Sequence, residues 1–240
     1  MTHSLHREGS LESLEKDYVM FIYPARGFNY KGSAPKVRHL AELVFLSGPI
    51  GIMAKERSRS MNKTGKPDDT EVPIRIKVDG ERIPGAVSAL EKLKLKDIVS
   101  DGTRVYCLFD NRENLKEALR RIKEADEGIS IMVSGLIDPV REIAEEIGID
   151  PHMVNLSLGI HGRTDRLPPA DIREFTTMCG HGLVSPHLIK DMIRRIKSGK
   201  ISDWNGSLFI AERCICGIYN PCRSMELLGE KMPLYAVDRW

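Results

Sequence analysis

Four of the five cysteines in this 240-residue chain fall near its C-terminus, as Cys179-x-His181 followed by Cys214-x-Cys216-x5-Cys222. Glycines flank the first pair, in Met178-Cys-Gly-His-Gly182, where they let backbone approach a ligand closely. Thiolates carried on loops, with imidazole able to replace one sulfur, suit Zn2+ or an iron–sulfur cluster. Four sulfurs lean to a cluster, and the Cys-x-His unit leans to zinc. The spacing is neither the CxxC pair of a zinc ribbon nor the CxxCxxC run of a bacterial ferredoxin. Two other readings compete: thiol chemistry, and cysteines that simply pack as small hydrophobes. Cys222 is also a candidate nucleophile. Asn220 as N-cap and Pro221 at the first helical position put it in a first turn with Arg223 beside it, and both effects favour thiolate. Cys107, inside the apolar run Arg104 to Phe109, reads as core.

Further groups could transfer protons or hold an anion. His161, in Gly159-Ile-His-Gly-Arg163, follows an apolar run and is the expected proton-transfer residue, with Arg163 next to a substrate. Ser134 ends an earlier run and joins the expected substrate site. Arg26, Asn29 and Lys31 crowd a glycine-rich turn ahead of a helix, the setting of a carboxylate or phosphate cradle. It is not a P-loop, because Lys31 precedes Gly32. His187, after Ser185-Pro186, reads as a solvated first-turn side chain. Lys55, Arg57, Arg59, Lys63 and Lys66 form a basic stretch with few aromatics, which reads first as a solvated loop and second as a flexible clamp on a phosphate or on RNA.

The elements that must position these groups follow from periodicity. Tyr18 to Tyr23 is a continuous apolar run of strand length, and Val37, Leu40, Leu43 and Val44 then make the stripe of a helix capped by Ser33. Ile74, Ile76 and Val78, the Asp79-Gly80 turn and Ile83 predict a β-hairpin. Leu90, Leu93 and Leu95 suggest a short helix. Arg104 to Phe109 is a buried strand, followed by a helix over 111–126 with an Asp110/Glu113 capping box, a strand over 129–133, a helix from Asp138-Pro139 and a strand over 153–160. Two successive β-α-β units predict a parallel sheet whose strand ends deliver Ser134, His161 and Arg163 to one edge. Beyond Pro168-Pro169 the chain reads as helical, with starts at Ser185-Pro186, Ser202 and Asn220-Pro221, and no internal repeat is apparent.

The fold class expected is therefore α/β. An N-terminal strand-helix and β-hairpin lead into a central parallel β-α-β-α-β sheet and a helical cysteine-rich C-terminal segment. The expected organisation is a mobile arm over 1–16, an α/β domain over 17–164 and the helical segment over 165–240 packed on the sheet edge. Hydrophobic residues at 41% and charged residues at 29% exclude general disorder, and a net charge of +2 does not by itself imply nucleic acid or a membrane surface. No apolar run reaches membrane-span length, and no signal-peptide pattern opens the chain, so a cytoplasmic location is expected. An odd cysteine count in that compartment argues against a disulfide framework.

The leading expectation is a metal- or iron–sulfur-dependent enzyme acting on a small anionic substrate by redox, lyase or hydrolase chemistry. In it Cys179, His181, Cys214, Cys216 and Cys222 hold Zn2+ or a cluster, His161 and Cys222 are catalytic, and Arg163, Arg26, Asn29, Lys31 and Ser134 bind substrate. A non-catalytic zinc- or cluster-containing subunit of a larger assembly, and an RNA-binding protein, are the alternatives. A homo-oligomer or a complex with other proteins is compatible with the leading expectation.

Overall fold

The computed structural model describes residues 6–55, 74–76, 99–214 and 217–231. In chain order the elements are α1 (Leu11–Leu14), β1 (Tyr18–Tyr23), α2 (Ser33–Phe45), β2 (Gly51–Lys55), β3 (Ile74–Ile76), β4 (Arg104–Phe109), α3 (Arg112–Ala125), β5 (Ser130–Ser134) and α4 (Ile137–Glu146). A 3-10 turn (Thr164–Arg166) then leads to α5 (Ala170–Thr176), α6 (Pro186–Lys197), α7 (Asp203–Ala211) and α8 (Pro221–Lys231).

The sheet corrects the expected parallel architecture. Its order is β3-β2-β4-β1-β5, and every described pairing is antiparallel. Because β4 and β5 both run antiparallel to β1, they point the same way, as a β-α-β crossover requires, but β1 lies between them. The β1-α2-β2 unit is split in the same manner by β4. Two interleaved split β-α-β units of this kind make the ferredoxin-like arrangement, with β3 added at one edge. The physical reason is that β1 and β4 are apolar on both faces, which suits any central strand and does not encode the direction of its neighbours.

The third expected strand is also absent. Residues 153–160 carry no regular element and are exposed throughout, with Met153, Val154, Leu156, Leu158 and Ile160 all open to solvent. The expected hairpin survives only as β3, whose described partner is β2. Its turn and return strand, the short helix near Leu90 and the basic residues Arg57, Arg59, Lys63 and Lys66 lie outside the described residues.

Each sheet face carries a core. Tyr18, Met20, Ile22, Val105, Cys107 and Phe109 point into one, where α2, α3 and Ile143 of α4 cover them. Val19, Phe21, Tyr106 and Leu108 point into the other, against Phe175, Met178, Ile189, Ile193 and Leu228. The C-terminal helices therefore cover a face of the sheet and not its edge.

The start of the chain is tied down from His6 onward, where a mobile arm is expected. Arg7 and Asp17 form an ion pair, and the Arg223 guanidinium donates to Asp17 Oδ2 at 2.8 Å, to Ser13 Oγ at 2.8 Å and to the Glu8 carbonyl at 2.6 Å. Arg173 Nε donates to the Glu8 carboxylate at 2.8 Å. Arg223 is 1% exposed and the Asp17 side chain 0%, so this pair is as buried as any aliphatic core residue.

Candidate cysteine site

Cys179 and Cys214 come together on the second sheet face. Each lies in a short loop between two helices, Cys179 between α5 and α6 and Cys214 between α7 and α8. The Cys214 thiol donates to Cys179, whose sulfur also accepts the backbone N–H groups of Leu183, His181 and Val184. These donors hold Cys179 well below the ordinary thiol range although burial opposes them. Cys214 moves the opposite way, because its proton is held by Cys179 and burial disfavours a second charge. Backbone N–H groups of Ile218 and Tyr219 are aimed at its sulfur and partly offset that rise. Within the pair the first deprotonation is directed to Cys179 and the proton is retained on Cys214.

The two loops are built alike, at an offset of 35 residues. Cys179-Gly-His-Gly-Leu-Val-Ser-Pro186 matches Cys214-Ile-Cys-Gly-Ile-Tyr-Asn-Pro221 as Cys-x-x-Gly, two apolar residues, a capping residue and proline. The geometry repeats with the sequence. The Cys179 and Cys214 amides donate back to Thr176 and Ala211, the last residues of α5 and α7. Gly182 and Gly217 donate to the carbonyls of Cys179 and Cys214, with φ of +68° and +63°, a left-handed turn that only glycine makes without strain. Each sulfur then accepts the amides four and five residues on. Ser185 Oγ accepts from the Leu188 amide at 3.2 Å, Asn220 Oδ1 accepts from the Arg223 amide at 2.9 Å, and proline opens the next helix in both units. Burial also corresponds, since Phe175 and Ile210, Val184 and Tyr219, Met192 and Leu227, and Ile193 and Leu228 are all buried.

This duplicated helix-loop-helix was legible as the shared Cys-x-x-Gly…Pro string, against the expectation of no repeat. Position three of the loop is His181 in one unit and Cys216 in the other, and the second helical residue is His187 or Cys222. His187, read from sequence as solvated, is thus the counterpart of Cys222. Cys216 lies outside the described residues. His181 is exposed at its loop tip, Cys222 is half-buried in the first turn of α8, and Arg223 turns away from it to Asp17. Among the described residues no three His, Cys, Asp or Glu side chains gather at metal-binding range. Cys107 is buried apart from this pair, in the other core, and burial pushes its thiol up.

The expected proton-transfer and anion-binding residues engage neighbours close in the chain or across the sheet. His161 is exposed, and its Nε2 is 2.9 Å from the Leu158 carbonyl of its own loop. Arg163 makes a two-point contact with Asp165, at 2.9 and 2.7 Å, which raises the arginine and lowers the aspartate. Ser134 ends β5 opposite Val19.

The cradle ahead of α2 is filled by the protein itself. Asp101 Oδ2 accepts from the Gly32 amide at 2.8 Å and Oδ1 from the Ala34 amide at 2.9 Å, so a carboxylate occupies the place foreseen for an anion. Ser33, expected to cap this helix, instead accepts from the Gly102 amide at 2.9 Å. Asn29 is held by the Ala25 amide and the Gly128 carbonyl, both at 2.6 Å, Arg26 lies 6.0 Å from the centre of the Tyr30 ring, and Lys31 is exposed beside them. Asp110 and Asn111 are used locally too: Asn111, not Asp110, caps α3 by accepting from the Asn114 amide at 2.8 Å. No described helix is long and apolar enough to cross a membrane.

Comparison of the chain with protein-family models, curated proteins and solved structures finds no match.

Proposed function

We propose that the chain carries a thiolate-bound metal centre, zinc or iron–sulfur, between its two matched loops, with Cys179 and Cys214 as the first two ligands. The observation that supports this reading is the backbone around the sulfurs. Five amide N–H groups from two equivalent loops are aimed at them, in the manner that stabilises metal-bound thiolates and tunes their clusters. Cys216, two residues from Cys214, is the natural third ligand, and His181, His187 or Cys222 the source of a fourth. Such a centre supplies either a structural cross-link or one-electron transfer. None of the four described cysteines is in a disulfide, which fits a reducing compartment.

Burial favours a relay or structural centre in a larger assembly over an enzyme acting on a small anion. Cys179 is 2% exposed and Cys214 0%, Arg163 is paired with Asp165, and the cradle beside Arg26 and Lys31 is filled by the Asp101 carboxylate. The test is an anaerobic Co2+ titration of the full chain, with the colour of the protein as purified to separate zinc from iron–sulfur. Thiolate-to-metal charge-transfer absorption should appear in the wild type and be lost in both Cys179→Ser and Cys214→Ser. Equal absorption in both variants would overturn the assignment.

A further inference from the structure

The N-terminal arm reaches the cysteine loops through one side chain. The Arg7 guanidinium is 6% exposed, and its Nη2 donates to the Ile218 carbonyl and, at 3.4 Å, to the Met178 carbonyl. Met178 precedes Cys179, and Ile218 is a residue whose amide is aimed at Cys214. A single cation therefore bridges the two sulfur-bearing loops from outside the duplicated unit. Its other nitrogen is locked by Asp17, which Arg223 and Asn220 hold in turn, and Asn220 is the cap of α8. The backbone fit is close on this side: a Cβ at Gly9 would stand 2.2 Å from Arg223 Nη2, and Arg223 is too buried and too fully bonded to swing away.

The geometry points to Arg7 as a positioning residue for the sulfur pair, with the N-terminal arm acting as a latch that sets the spacing of the two loops and shields their sulfurs. This rests on the metal-centre reading for its metal arm, but not for its shielding arm. A planar guanidinium suits the task because it can donate to two carbonyls and a carboxylate at once, which a lysine ammonium cannot do in the same plane. Outer partners of metal ligands commonly contribute ten- to hundredfold in affinity.

The experiment compares full-length wild type with Arg7→Met, Arg7→Lys and Gly9→Ala. Co2+ affinity is read by charge-transfer absorption, and the alkylation rates of Cys179 and Cys214 by iodoacetamide are read by mass spectrometry. Arg7→Met should weaken Co2+ binding by roughly ten- to hundredfold and speed alkylation of both cysteines while Cys107 stays protected. Arg7→Lys should recover part of each effect. Gly9→Ala, which leaves Arg7 in place but displaces the arm around Arg223, should shift both readouts the same way and keeps the test open if Arg7→Met does not fold. Wild-type alkylation and Co2+ affinity in the folded variants would overturn the latch, as would loss of Cys107 protection in step with the other two, which would mark general unfolding. A wild type that binds no Co2+ while Arg7→Met still exposes Cys179 and Cys214 would refute the metal centre and leave the latch standing.

Discussion

Replacing Asp17 by asparagine removes the anion from a site that holds two buried guanidinium groups. The carboxylate accepts from Arg7 and, at 3.2 Å, from Asn220 through Oδ1, and from Arg223 at 2.8 Å through Oδ2. The amide of Asp17→Asn would keep one acceptor oxygen and turn an N–H2 group toward a donor. The next carboxylate to Arg223 is that of Glu174, at 3.9 Å. Breaking a buried ion pair by neutralising one partner typically costs about 3–5 kcal/mol, because a charge is left in low dielectric without compensation. That is a large part of the roughly 5–15 kcal/mol by which domains are stable, and for a chain of this size it corresponds to a melting point lower by roughly 6–20 °C. Urea unfolding followed by circular dichroism measures it, with Arg120→Gln as the control. Arg120 pairs with Glu117 and Glu124 on the exposed face of α3, and its loss should leave the midpoint in place. An Asp17→Asn midpoint within about 1 kcal/mol of wild type would show that the arm is not held by this charge pair, against the burial argument.

The contribution of the sulfur pair to the stability of the metal-free protein should peak near the ordinary thiol pKa, about 8.5. Cys179, lowered on folding, adds stability above that value and loses it as pH falls; Cys214, raised on folding, favours the fold below that value and loses its contribution as pH rises. Cys179→Ala should flatten the acid limb in urea midpoints taken across pH, and an unchanged limb would refute the assignment of the first deprotonation to Cys179. Asp101→Ala removes the carboxylate that receives the Gly32 and Ala34 amides, so it should cost about 0.5–2 kcal/mol, the range for a lost helix cap, measured by thermal unfolding. Leu158→Lys should change stability by no more than about 0.5 kcal/mol, because Leu158 is 88% exposed; a larger loss in the same melt would mean that the segment packs on something in solution.

Local signals in the sequence read well. The Ser185-Pro186, Ser202 and Asn220-Pro221 starts open helices as their capping chemistry requires, and the apolar runs of β1, β4 and β5 are strands. What escaped sequence reading depends on partners far along the chain. An apolar run buried on both faces has the same composition in a parallel or an antiparallel sheet, so nothing in Tyr18 to Tyr23 tells that β1 enters between β4 and β5. The cap of α2 comes from Asp101, 67 residues beyond the Ala34 amide it accepts, where no local cap rule would look. Residues 153–160 have strand composition but no described neighbour to pair with. The duplicated loop was written in the sequence, and histidine in one copy against cysteine in the other hid it.

The central place of β1 has a consequence for how the chain is made. Its two sheet partners end at residues 109 and 134, and the arm ahead of it waits for Arg223, 206 residues from Asp17. At ribosomal speeds of about 5–20 residues per second, the Tyr-Val-Met-Phe-Ile-Tyr segment emerges on the order of ten seconds before its first partner strand, and the arm waits tens of seconds for its anchor. Throughout that interval the nascent chain displays a six-residue apolar segment with high β-propensity and no charge, the composition that self-associates most readily. The polar residues 6–17 that later fasten the cysteine loops also travel immediately ahead of this segment, and during synthesis they are the flank that keeps it apart from other chains.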